Sequence, residues 1–116
     1  MIKKIMLILG IIFTLVVSGC SITGGTVVGG KYDNLAKCLT TKGATMYGTE
    51  WCSHCKNQKK TFGSSFKYVN YVDCDRNPGK CDAAGVRGYP TWKVMGKNYP
   101  GEQKLSRLAS LTGCTV

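Results

Sequence analysis

Acidic residues are scarce in this chain. Six Asp and Glu face sixteen Lys and Arg, which leaves a formal net charge of +10 at pH 7. The basic excess is scattered, with no basic run interleaved with aromatic residues, so no nucleic-acid partner is expected. Histidine is limited to one residue, His54. A zinc site would need two further Cys or His at ligand spacing beside a Cys-x-x-Cys. Cys74 and Cys81, seven apart, suit a covalent staple better, so no metal and no other cofactor is expected. No apolar run is long. Ile5 to Val17 falls short of the roughly 20 residues of a membrane span. No internal repeat is present, and 116 residues leave room for one small domain.

Cysteine, by contrast, is abundant, with seven residues. Lys3 and Lys4 followed by the apolar stretch have the form of an export signal. Val17-Ser18-Gly19-Cys20 then puts small residues directly before a cysteine, which resembles a bacterial lipobox. The reading is a lipoprotein signal peptide over 1–19, cleaved before a lipidated Cys20, with an ordinary signal peptide or an uncleaved anchor helix as the alternatives. Each of them exports the rest of the chain. The expected location is therefore extracytoplasmic, in a bacterial cell envelope, lipid-anchored to a membrane. The Gly/Thr-rich residues up to Gly30 complete a lipidated, flexible 20–30 tether, and 31–116 form the domain. A basic surface beside a membrane also suits anionic headgroups. Once Cys20 is set aside, six cysteines remain, an even number in a compartment where disulfides persist.

Trp51-Cys52-Ser53-His54-Cys55 is the centre of the domain. Placed at a helix start, the two cysteines lie within one turn of each other. The first lies over unpaired N–H groups and the positive end of the helix dipole, which favour a thiolate. The thiolate is the attacking species in disulfide exchange. Around this motif, the pattern predicts a helix over Tyr32–Thr41 capped by Gly43 and a strand over Ala44–Gly48. A helix from about Cys52 to Phe62 follows, with Gln58, Lys59 and Lys60 on its solvent face and Gly63-Ser64-Ser65 ending it. A strand over Tyr68–Val72, a turn between Cys74 and Cys81, and a short helix over Asp82–Gly85 come next. Strand Thr91–Met95 then turns at Gly96-Lys97-Asn98 into Tyr99–Gly101, and a last helix covers Gln103–Leu111. The fold class is α/β: a central mixed sheet flanked by helices.

Trp51-Cys52-x-x-Cys55 with Gly88-Tyr89-Pro90-Thr91 resembles the thioredoxin superfamily over about Tyr32 to Cys114. The resemblance implies that Pro90 follows a cis peptide bond, lies against the dithiol and leaves the preceding backbone free to pair with substrate. Ala36-Lys37-Cys38-Leu39, Gly43-Ala44-x-Met46-Tyr47-Gly48, Gln58-Lys59-Lys60 and Gly88-Tyr89-Pro90-Thr91-Trp92 are similar, more closely, to the thioredoxin-like domain of bacterial vitamin K epoxide reductase homologues. That resemblance implies a quinone-linked membrane redox partner and the thiols of exported proteins as substrates. The four-helix membrane part of those proteins has no counterpart in this sequence. Thioredoxin also carries a buried acid six residues before its first active cysteine, which assists deprotonation of the second. Met46 stands there, which weakens a reductase reading.

The expected roles follow. Cys52 is the nucleophile and Cys55 the resolving cysteine, or the two form a purely structural disulfide. His54 either stabilises the Cys52 thiolate, as in the DsbA-type oxidants that this placement resembles, or is an exposed spacer. Trp51 either shields the site and offers a stacking face or packs in the core. Ser53, Tyr89 and Pro90 complete the supporting set. Four cysteines allow three pairings. Cys38–Cys114 with Cys74–Cys81 is favoured, because the second closes a short loop and the first ties both ends; the alternative reading of either pair is a second redox pair that relays electrons to Cys52–Cys55. The function expected is a thiol–disulfide oxidoreductase donating disulfides to exported proteins. The alternatives are a reductase or isomerase, and a non-catalytic, disulfide-stapled binding lipoprotein.

Overall fold

The computed structural model describes residues 29–116. The expected signal peptide, the expected lipidation at Cys20 and the expected tether as far as residue 28 lie outside the described residues. Gly30 already belongs to the packed domain: its N–H donates to the Asp33 carboxylate at 2.9 Å, at the start of the first helix.

Helix α1, Asp33–Thr41, turns Leu35, Ala36 and Leu39 inward. These three positions recur at helical spacing, which is why the segment coils. The chain leaves it through Gly43 at φ 81, a left-handed conformation that glycine adopts without steric cost. Strand β1, Thr45–Gly48, leads to helix α2, Ser53–Phe62, and a 3-10 helix over Gly63–Tyr68 follows directly. Strand β2 is Asn70–Asp73, helix α3 Pro78–Ala83, β3 Thr91–Val94, β4 Lys97–Pro100 and helix α4 Leu105–Thr112. The sheet runs β2-β1-β3-β4. β1 and β2 are parallel, joined through α2, since parallel neighbours need a crossover connection. β3 is antiparallel to both β1 and β4. In this register Met46 stands between Tyr71 and Trp92. Met46 and Trp92 are fully buried, and Phe62 of α2 packs on Trp92 with ring centroids 6.0 Å apart. Among the described residues no helix is long and apolar enough to cross a membrane.

Local details differ from the sequence expectation in three places. The glycine and serines after Phe62 continue as 3-10 turns, so the second strand begins at Asn70 rather than Tyr68. The short helix starts at Pro78, which occupies its first turn, where a missing N–H costs nothing; the expected Asp82–Gly85 helix therefore lies four residues too late. The β3–β4 turn is the pair Met95-Gly96, both at positive φ (50° and 79°), with Val94 opposite Lys97. That geometry matches the right-handed twist of the strands. A methionine carries no turn signal, and so Lys97 and Asn98 read as turn residues although they pair in β4.

Two disulfides brace the domain. Cys38 of α1 is bonded to Cys114 beyond α4, 76 residues on, and Cys74 to Cys81. The first closes nearly the whole domain into a loop, and removing such a cross-link frees the unfolded chain. Replacing Cys38 and Cys114 together by serine is expected to lower unfolding stability by about 2–4 kcal/mol, read from denaturant melts. A change below about 1 kcal/mol would show that the link does not constrain the unfolded chain.

Candidate functional site

Cys52 is the N-cap of α2, with extended backbone (φ −70°, ψ 121°), and its Sγ accepts the Cys55 N–H at 3.2 Å. One of the otherwise unpaired amides at the helix start is thus aimed at the sulfur. The same sulfur faces the Tyr89 carbonyl at 3.5 Å, and the Tyr89–Pro90 peptide bond is cis. Cys52 remains slightly exposed at 7 %, whereas Cys55 is sealed at 0 %. Both are free thiols.

Gly48 makes that seal. A side chain there would place a Cβ 2.8 Å from Cys55 Sγ, so the strand can approach Cys55 only as glycine. Burial, the largest cause, pushes the Cys55 thiol up to about 12; its hydrogen bond to Cys52 acts in the same direction. A backbone hydrogen bond from Thr49 and the charge of Lys59 oppose the rise. Lys59 is itself held 3.0 Å from Glu50 and 4.2 Å from the centre of the Tyr71 ring. Burial also raises the Tyr71 phenol, with Glu50 as the next cause. The buried position six residues before Cys52 is the apolar Met46, so the charged groups nearest the dithiol come from α2 and the loop before it rather than from the strand.

The other predicted residues converge on the same rim. Trp51 is 65 % exposed, stands edge-on to Tyr89 with centroids 6.2 Å apart, and donates its indole N–H to Asp75 at 2.9 Å. Pro90 is buried and Ser53 is exposed in the first turn of α2. His54 Nδ1 lies 2.9 Å from Glu102 Oε2. The Cys74–Cys81 link flanks Asp75, the residue that holds Trp51.

Three participants had no functional reading in the sequence. Glu102 and Asp75 act from loops 48 and 24 residues away from their partners, and no local pattern marks such contacts. Gln58 was expected on the solvent face but is fully buried. Its side-chain carbonyl accepts the Trp92 indole N–H at 3.1 Å and the Gln103 amide at 2.6 Å, and its amide donates to the Gln103 carbonyl at 3.0 Å. The signal was present: Cys55, Gln58 and Phe62 are spaced three and four apart, so they share one helix face.

A thiol at a helix start and a buried partner one turn in, beside the Tyr89 carbonyl of the cis Tyr89–Pro90 bond, make a dithiol able to open and close as a disulfide. The thioredoxin family model matches residues 45–111, more than half of the chain and every residue of this site. The chain belongs to the thioredoxin family. It is also 43 % identical over 91 residues to the thiol-disulfide oxidoreductase LTO1 of Arabidopsis thaliana. That match covers 71 % of this chain but 24 % of the relative, so the chain spans about a quarter of the relative's length.

The difference in burial has a chemical readout. With a value of about 12, Cys55 is almost wholly a thiol at pH 8, about one thiolate in ten thousand. In the reduced, folded chain iodoacetamide at pH 8 is expected to modify Cys52 and leave Cys55 intact until the chain unfolds, as followed by peptide mass mapping. In Cys52→Ser, the rate at Cys55 should still be climbing at pH 10.5, beyond the 9.0 of an ordinary thiol, because a raised value delays thiolate formation to higher pH. A plateau by pH 9.5 would contradict the burial argument.

Proposed function

We propose that this thioredoxin-family chain is an extracytoplasmic thiol–disulfide oxidoreductase that donates the Cys52–Cys55 disulfide to the thiols of exported proteins. The observation that supports it most is the unequal pair itself: Cys52 capping α2 beneath the Tyr89 carbonyl, and Cys55 sealed behind it. A substrate thiolate attacks Cys52 Sγ. The Cys52–Cys55 bond breaks, and Cys55 leaves with the electron pair and takes up a proton, which its raised value favours at neutral pH. A second substrate thiolate then attacks the substrate sulfur of the mixed disulfide. Cys52 leaves as a thiolate facing the helix N-terminus, and the substrate carries the new disulfide. Two electrons have passed from substrate to the cysteine pair.

The oxidising direction is supported by two residues. Met46 supplies no acid from the strand to help Cys55 lose its proton, the step a reductase needs. His54 lies between the cysteines, where positive charge on its ring favours the Cys52 thiolate, and a more stable thiolate makes a disulfide more oxidising. In this reading the pair is reoxidised by a membrane partner of the vitamin K epoxide reductase type, and a lipid on Cys20 keeps the domain beside it. Trp51 and Tyr89 offer exposed aromatic faces to the substrate segment.

Glutathione equilibration of the Cys52–Cys55 couple is expected to give a potential closer to the roughly −120 mV of DsbA than to the roughly −270 mV of thioredoxin. The chain should then oxidise a reduced model protein, and Cys52→Ser should abolish that transfer. A potential near the thioredoxin value would transfer the assignment to a reductase. Unchanged activity in Cys52→Ser would point to a non-catalytic binding protein instead.

A further inference from the structure

We infer that Glu102 is a positioning residue that sets the redox potential of the Cys52–Cys55 couple by holding the imidazole of His54. The inference rests on Cys52–Cys55 being a working redox pair. It goes beyond the proposed function in assigning control of its driving force to a carboxylate far along the chain.

Glu102 is not a stray surface acid. Both of its neighbours are tied to the site. Gly101, at φ 89 in the left-handed region, donates its N–H to the Pro90 carbonyl at 2.7 Å. Gln103 is clasped through both its amide and its carbonyl by the buried side chain of Gln58, which belongs to the active-site helix α2. The Gln103 side chain closes the turn, donating to the Pro100 carbonyl at 3.2 Å and the Gly101 carbonyl at 3.4 Å. The residue between these two anchors therefore has little freedom, and its carboxylate lies 2.9 Å from His54 Nδ1.

An ionised carboxylate only accepts, so His54 Nδ1 is the donor and its proton points at Glu102. The donor is spent there rather than on the Cys52 thiolate, and the carboxylate offsets any positive charge on the ring. Both effects leave the Cys52 thiolate less stabilised than a free histidine in the same place would leave it. The reduced form is disfavoured, and the couple is held less oxidising. The pair is largely exposed, with His54 at 68 % and Glu102 at 37 %, so solvent screens it and the effect is modest.

A double-mutant cycle on the full chain tests this. The constants are measured by equilibration with glutathione for the unaltered chain, Glu102→Gln, His54→Ala and the double variant. Glu102→Gln is expected to make the couple more oxidising by about two- to fivefold in the equilibrium constant, with no such shift when His54 is already alanine. Glu102→Asp, one methylene shorter, should fall between the unaltered chain and Glu102→Gln. No shift in Glu102→Gln, or a shift of the same size without His54, would overturn the assignment while leaving the disulfide-exchange reading intact. Failure of the unaltered chain to equilibrate would overturn both.

Discussion

One buried amide holds this site together. Gln58 has its side chain wholly inside the domain, where an unpaired amide would cost about 1–3 kcal/mol. Both ends are satisfied, by Trp92 of β3 and by the backbone of Gln103. That arrangement joins the active-site helix to the core strand and to the loop that follows β4. The helix start, with Cys52 as its cap, consequently faces the Tyr89–Pro90 carbonyl region in one fixed relation. The Gly101–Pro90 backbone bond fastens the same loop from the other side. Remove the amide and the helix, the proline segment and the carboxylate of Glu102 lose their common reference.

Around that clasp the two sulfurs receive opposite environments. Cys52 has an amide of the helix start and an opening to solvent. Cys55 has strand β1 pressed against it at a glycine, and burial keeps its proton in place. The charges available to moderate it, Lys59 with Glu50, stand on the helix and the preceding loop. The rim is a second layer of control. Trp51 is held by Asp75, beside the Cys74–Cys81 link, and His54 by Glu102. Trp51, which precedes the cysteine pair, and His54, which lies within it, are thus each held by an acid, in a chain with few acids.

The family, the dithiol and the order of elements were legible because their signals are local. Cys-x-x-Cys, the β-prone stretches and the Tyr-Pro-Thr entry to β3 are read from consecutive residues. The errors were also local in kind. Met95 at positive φ carried no turn signal, Pro78 inside a helix read as part of a turn, and Gln58 was judged by polarity although its spacing with Cys55 and Phe62 put it inward.

By itself the sequence determined which residues form the candidate dithiol: two cysteines one helical turn apart, with a histidine between them. Tertiary structure alone decided how that chemistry is tuned. Which sulfur is sealed depends on Gly48 reaching Cys55, and which charges oppose its burial depends on where Lys59 comes to rest. The partner of His54 lies 48 residues away and that of Trp51 lies 24 away. Such contacts arise only when the sheet returns distant loops to one edge, and no periodicity along the chain encodes that return.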